Sequence, residues 1–309
     1  MMVSNKIVTL AIVGAGTMGS RIACRCVLAG LDTFLYDNDA SALEKAVDHI
    51  YDWLAAKVHR GELLEKDIEA ANAKLHACKT LKDCVGGADL IIETVPEDLE
   101  LKRSVFREID ALALPGALIA TNSSSLPCTR LAAVTQRPQK VFNINFSDPL
   151  QDHLVEIMKG SCTDEQTLSA GIQFIRKLEA VPIVTRKEIM GFSFNRIWRA
   201  VKRESLYLID NGYSTYEEID RAWMLEFGTA IGPFGIMDEI GLDVVRDIEM
   251  QYYLDSNKES DRPPKILDDM ISKGRLGVKK GKGFYDYPDP DYKNPDWLFK
   301  KGFWEADVT

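Results

Sequence analysis

The stretch IVTLAIVGAGTMGSRIACRCVLAGLDTFLYD, residues 7–37, decides the fold. Residues 7–13 are an unbroken apolar run of the kind that forms a parallel strand buried on both faces. Met18, Ile22, Cys26 and Ala29 then recur at helical spacing, and Gly30 stops the helix. Residues 33–36 form a second strand that ends in Asp37, which completes a βαβ unit of about 30 residues. Between the first strand and the helix stands Gly14-Ala15-Gly16-Thr17-Met18-Gly19. Gly14 permits the tight turn, Gly16 lets backbone amides approach a pyrophosphate, and Gly19 lets helix and strand pack closely. The helix start at Thr17 and Met18 adds partial positive charge. Asp37 selects the nucleotide. Its carboxylate accepts from a ribose 2′-hydroxyl and repels a 2′-phosphate, and Asn38 and Asp39 bring no cation, so NAD is favoured over NADP. FAD would use the same turn and stays open as the poorer fit.

Outward from this unit, residues 41–79 read as a helical hairpin broken at Gly61, far longer than a crossover needs. Strands follow at 88–94, 117–121, 141–146, 154–158 and 181–185, with helices at 99–112 and from Asp164. Beyond them the pattern is helical: Phe194, Ile197, Val201 and Leu208 stripe one long helix, and further helices span 216–226, 242–254 and 266–273. The expected class is α/β plus all-α: a Rossmann-like NAD-binding domain with an inserted helical hairpin (1–188), then a helical C-terminal domain (189–309).

Composition sets the outer limits. The 309 residues hold 46% hydrophobic and 28% charged side chains with a formal charge of −9, an ordinary core-forming mixture and a poor match to nucleic acid. No apolar run approaches the ~20 residues of a membrane span, and the start MMVSNK carries no secretory pattern. Six cysteines without a CxxC pair and four histidines without ligand spacing point to reduced thiols in a cytoplasmic protein, with no metal site.

The chain resembles the L-3-hydroxyacyl-CoA dehydrogenase family over nearly its whole length. The resemblance rests on VGAGTMG with Asp37, the inserted hairpin, IIETVPEDLELK (91–102), TNSSSL (121–126), GFSFNRI (191–197), IGPFGIMDEIGLD (231–243) and KKGKGFYDY (279–287). It implies a small-molecule substrate, an acyl-CoA or related hydroxy acid, and a homodimer formed through the helical half. It also implies Glu97 and Lys102 near the nicotinamide end of the cofactor, and Ser124 bonded to the reacting oxygen. Asn195 comes from the helical domain, and Glu156 matches the carboxylate that orients the catalytic base. Glu156 also stands out unaided, as a carboxylate inside the apolar run LVEIM.

The base itself is replaced. Where the family has a histidine, this chain has Asn145, and Glu156 arrives one residue early, which implies a one-residue deletion in the intervening loop. An amide cannot accept a proton near neutral pH. Three repairs are open: Glu156 acting as base directly or through a water, His153 relocated into the site, or a substrate whose hydroxyl needs no strong base. On the hairpin, Trp53 and Arg60 occupy the neighbourhood of the family's CoA-binding serine and lysine, with Lys57 one turn earlier. The sequence therefore reads as an NAD-dependent dehydrogenase of a 3-hydroxyacyl-CoA or related 3-hydroxy acid. The alternatives are a dehydrogenase of a non-CoA hydroxy acid or aromatic catabolite, and an NAD(H)-binding protein with little catalysis.

Overall fold

A computed structural model describes residues 7–151 and 153–299. The chain divides into two compact units, Met1–Ser193 and Phe194–Thr309, a few residues past the boundary read from sequence. The extra residues belong to the first unit through Gly191 N–H donating to the Ser124 carbonyl and Ser193 N–H donating to Glu156.

The first unit runs β1 (Thr9–Val13), α1 (Thr17–Leu28), β2 (Asp32–Tyr36), α2 (Ala40–His59), α3 (Glu65–Asn72), β3 (Leu75–Ala77), α4 (Leu81–Val85) and β4 (Leu90–Glu93). It continues with α5 (Leu99–Leu112), β5 (Leu118–Thr121), α6 (Thr129–Ala132), β6 (Val141–Phe146), β7 (Leu154–Lys159), α7 (Glu165–Lys177) and β8 (Val181–Thr185). One sheet joins the strands in the order β3-β2-β1-β4-β5-β6-β7-β8. All neighbours are parallel except β6 and β7. Alternation along β1 sends Leu10 and Ile12 to one apolar layer and Ala11 and Val13 to the other, so both faces of the sheet are covered. The order reverses between β1 and β4. A crevice forms at the carboxyl ends of such strands, and that is where the glycine turn and the Thr94 segment meet.

The inserted segment differs from the sequence reading. Its helices end at Asn72, and Leu75–Ala77 adds a parallel edge strand to β2, with His76 stacked on Phe34 at 4.5 Å between ring centroids. A three-residue strand is shorter than any hydrophobic period can reveal. α2 itself starts as its sequence dictates, with Asp39 accepting from Ser41 N–H.

The second unit is helical: α8 (Phe194–Asp210), α9 (Tyr216–Phe227), α10 (Pro233–Ile240), α11 (Leu242–Ser256), α12 (Lys265–Ser272) and α13 (Pro295–Leu298). On α8 the buried face is Lys202, Ser205 and Leu206, while Phe194 and Ile197 of the apolar stripe stay exposed. Lys202 is buried because Glu249 of α11 lies 3.4 Å from its ammonium. Two further buried carboxylates fix the KKGKGFYDY segment. Asp238 accepts from the amides of Phe284 and Tyr285, and Asp220 accepts from Phe234 and Gly235 amides and the Tyr285 hydroxyl. Among the described residues no helix is long and apolar enough to cross a membrane.

Candidate active site

Each glycine of the turn has its own steric reason. Gly14 has φ +109°, and a Cβ there would meet Thr94 Oγ1 at 2.8 Å. A Cβ on Gly19 would lie 1.9 Å from the Gly14 carbonyl oxygen, so α1 packs directly on the turn. Gly16 has nothing within 4 Å of its Cβ position, which leaves the backbone open to an incoming group. α1 starts with no side-chain cap and no acidic residue in its first turn, leaving its first amides available to an anion. At the lip, Asp37 is fixed by accepting from Ala15 N–H at 2.7 Å and Asp39 N–H at 2.9 Å. An open glycine, uncapped amides and a held carboxylate fit a pyrophosphate and an unphosphorylated ribose, the two recognition elements of NAD.

Beside the turn, β4 ends in Glu93, which is fully buried. Its carboxylate accepts from Lys102 Nζ at 2.7 Å, Thr121 Oγ1 at 2.7 Å and Val95 N–H at 2.6 Å. Burial pushes this carboxyl upward against the pull of those three donors. Lys102, on α5 and 1% exposed, also donates to the Val95 carbonyl and lies 3.3 Å from Glu97. Glu97 is half exposed and accepts from the hydroxyls of Ser123 and Ser125. Partial burial alone would raise its carboxyl; Lys102 and the two hydroxyls outweigh that and hold it below the usual carboxylate range.

Ser123, Ser124 and Ser125 follow β5. The buried Asn143 side chain on β6 secures this loop by donating to the carbonyls of Ser123 and Leu126 and accepting from Cys128 N–H. Ser124 is the exposed member. A cleft of about 340 Å³ opens there, lined by Met18, Thr94, Glu97, Asn122, Ser124 and Asn145 among others. The structure thus brings the glycine-turn residue Met18, the acidic Glu97 and the two polar groups Ser124 and Asn145 to one place.

Asn145 and Glu156 face each other across the antiparallel β6–β7 pair. Asn145 lines the cleft and Glu156, 1% exposed, stands behind it. The amide nitrogen of Asn145 lies 3.5 Å from Glu156 Oε2, while Ser193 N–H donates to Oε1 at 3.0 Å. Asn145 therefore meets the cleft directly, whereas Glu156 does not line it. The structure places His153 elsewhere: it precedes the first residue of β7 and is exposed. Its ring Nδ1 lies 3.0 Å from the Glu179 carbonyl, and it lines a separate groove of about 970 Å³.

Trp53 of α2 lines that groove, with Lys57 Nζ 5.1 Å from the centre of its ring. Lys57 and Arg60 both pair with Glu62. Asn195 lies in the first turn of α8, in the second unit, and is partly buried. Sequence reasoning missed Glu93, Thr121 and Asn143. Their signal is a polar residue inside or closing an otherwise apolar buried strand, the same signal that singles out Glu156.

The family profile for the 3-hydroxyacyl-CoA dehydrogenase NAD binding domain matches residues 9–189, and that for the C-terminal domain of the same family matches 191–287. The chain is 34% identical over 277 residues to a 3-hydroxybutyryl-CoA dehydrogenase of Bradyrhizobium diazoefficiens, covering 89% of this chain and 94% of the relative. It is 30% identical over 290 residues to a 5-formyl-3-hydroxy-2-methylpyridine 4-carboxylate 5-dehydrogenase of Mesorhizobium japonicum, with 90% of each chain covered. Crystalline (S)-3-hydroxybutyryl-CoA dehydrogenase from Ralstonia eutropha superposes with a TM-score of 0.85 at 32% identity, over 92% of this chain and all of the other. With the glycine turn, the acidic lip and the serine cleft already in place, these matches show that the chain belongs to the 3-hydroxyacyl-CoA dehydrogenase family and is an NAD-dependent oxidoreductase.

Proposed function

We propose that the protein interconverts a 3-hydroxyacyl-CoA and its 3-oxo form. The observation that carries this reading is the shared cleft, in which Ser124 and Asn145 stand with Met18 of the cofactor turn. Bound NAD would supply the hydride acceptor for the carbinol carbon. Gly14, Gly16, Thr17, Met18, Gly19 and Asp37 would hold the dinucleotide, with Lys102 at the cleft end. Ser124 donates a hydrogen bond to the reacting oxygen, and Asn195 keeps the substrate role that the family resemblance implies. Asn145 presents an amide to the same oxygen. It orients that oxygen but takes no proton, so loss of the alcohol proton depends on solvent. Glu156 holds the Asn145 amide from behind.

A second reading has its own support. Lys57 and Arg60 both pair with Glu62, which offsets one of the two hairpin charges toward a CoA phosphate. That favours a free hydroxy acid or aromatic acid. NADH oxidation with acetoacetyl-CoA, set beside free 3-oxo acids, separates the two. Faster turnover of the thioester supports the first reading, and turnover of free acids alone supports the second. NADH binding without turnover of either marks a binding protein.

The assembly we infer is a homodimer. Ile197, Phe227 and Leu254 of the helical unit are 65%, 63% and 65% exposed, apolar side chains that a second copy would cover. Light scattering should give twice the chain mass; a monomer at micromolar concentration contradicts it. Six free thiols support a reducing, cytoplasmic setting.

A further inference from the structure

We propose that Glu97 is a positioning residue, whose carboxylate clamps the two serines flanking Ser124 and so aims the Ser124 hydroxyl into the cleft. The inference rests on the reading that Ser124 contacts the substrate oxygen. The family resemblance places Glu97 beside the cofactor; the bonds in this chain give its carboxylate to the serine loop. Ser123 Oγ and Ser125 Oγ both donate to Glu97 Oε1, and Ser125 N–H reaches the same oxygen at 3.3 Å. The other carboxylate oxygen lies 3.3 Å from Lys102 Nζ. Lys102 is in turn immobilised by Glu93 and the Val95 carbonyl, so the clamp is anchored through a buried ion pair to the ends of β4 and β5.

From the opposite side, Asn143 holds the Ser123 carbonyl, and Gly191 N–H holds that of Ser124 at 3.2 Å. Both neighbours of Ser124 are thus tied through their side chains, while among the described residues no hydrogen bond from the Ser124 hydroxyl is formed. A three-serine turn is locally free to present any of its hydroxyls; tying the outer two leaves the middle one to the substrate. Its displacement by about 1 Å is enough to cost up to ~100-fold in rate. Because Lys102 and the serines keep Glu97 ionised below the usual carboxylate range, the clamp persists across neutral pH.

The test is a double-mutant cycle on the full-length protein, read as kcat and KM with NADH and acetoacetyl-CoA, or with the free 3-oxo acid if only that is turned over. NADH affinity is measured alongside by fluorescence titration. Ser124→Ala should lower kcat by ~100-fold; an unchanged kcat there refutes the role of Ser124 and leaves Glu97 nothing to position. Given that loss, Glu97→Ala should lower kcat at least ~10-fold with NADH affinity within about three-fold of the parent. Glu97→Ala/Ser124→Ala should match Ser124→Ala alone within about two-fold, since the clamp acts only through that serine. Glu97→Gln, which retains an acceptor oxygen, should recover most of the loss. Losses that multiply in the double variant overturn the proposal. So does a fall in NADH affinity equal to the fall in kcat/KM. Should Glu97→Ala fail to fold, Ser125→Ala removes one arm of the clamp and must lower kcat but add nothing in a Ser124→Ala background.

Discussion

The Gly14–Gly19 turn and the Asn145–Glu156 pair are specified in opposite ways. In the turn the residues are chosen by what they lack: any side chain at Gly14 or Gly19 would enter the space of Thr94 or of the turn's own carbonyl. The backbone geometry and the binding function are one property there, and neither changes without the other. In the β6–β7 pair the backbone is an ordinary antiparallel ladder that accepts many side chains. An asparagine fits opposite Glu156 without disturbing the strands, although its chemistry differs wholly from an imidazole's. Sites held by sterics announce a change as loss of binding or fold. A site held by side-chain chemistry changes silently, with the scaffold intact.

The largest expected effect falls on the steric side. Gly19→Ala forces α1 away from the turn, and NADH affinity by fluorescence titration should fall at least ~100-fold. Normal affinity would mean that the close packing of helix on turn is dispensable. Next comes the choice of nucleotide at Asp37. NADPH should bind at least ~10-fold more weakly than NADH, because a phosphate beside a fixed carboxylate adds like-charge repulsion; equal affinities would remove Asp37 from the cofactor site.

Smallest is a stability effect remote from both regions. Burial pushes the Asp220 carboxyl up to about 6, against hydrogen bonds from Phe234, Gly235 and Tyr285. An unfolded aspartate ionises near ~3.9. The protonated form therefore favours the fold below that value, and the advantage is lost as pH rises through about 6. The melting temperature of the parent relative to Asp220→Asn should drop between pH 4.5 and pH 7 and then level. A difference independent of pH would show that Asp220 is not raised.

How much of this was legible in the sequence follows the same division. The glycine turn, the βαβ unit and the helical half could be read because periodicity and steric exceptions are local. The β3 edge strand could not, since three residues carry no period. Glu156 was visible as a carboxylate in an apolar strand, but Glu93, although inside IIETVPEDLELK, and Asn143 show the same anomaly and were not singled out. The grip of Glu97 on Ser123 and Ser125 is a tertiary bond across about 26 residues, which spacing alone does not encode. The placement of His153 in a separate groove, beside the Glu179 carbonyl, is likewise tertiary.

We propose that this chain keeps the dehydrogenase scaffold with Asn145 standing where the family's proton acceptor would be. Asn145→His tests it most directly, because Glu156 already stands opposite to orient an imidazole. With acetoacetyl-CoA and NADH, turnover should rise at least ~10-fold, a conservative share of a general acid–base contribution. The pH profile should gain a limb near ~6.5. Unchanged or lower turnover, with NADH affinity retained and no new limb, would contradict the account and assign Asn145 a chemical role of its own.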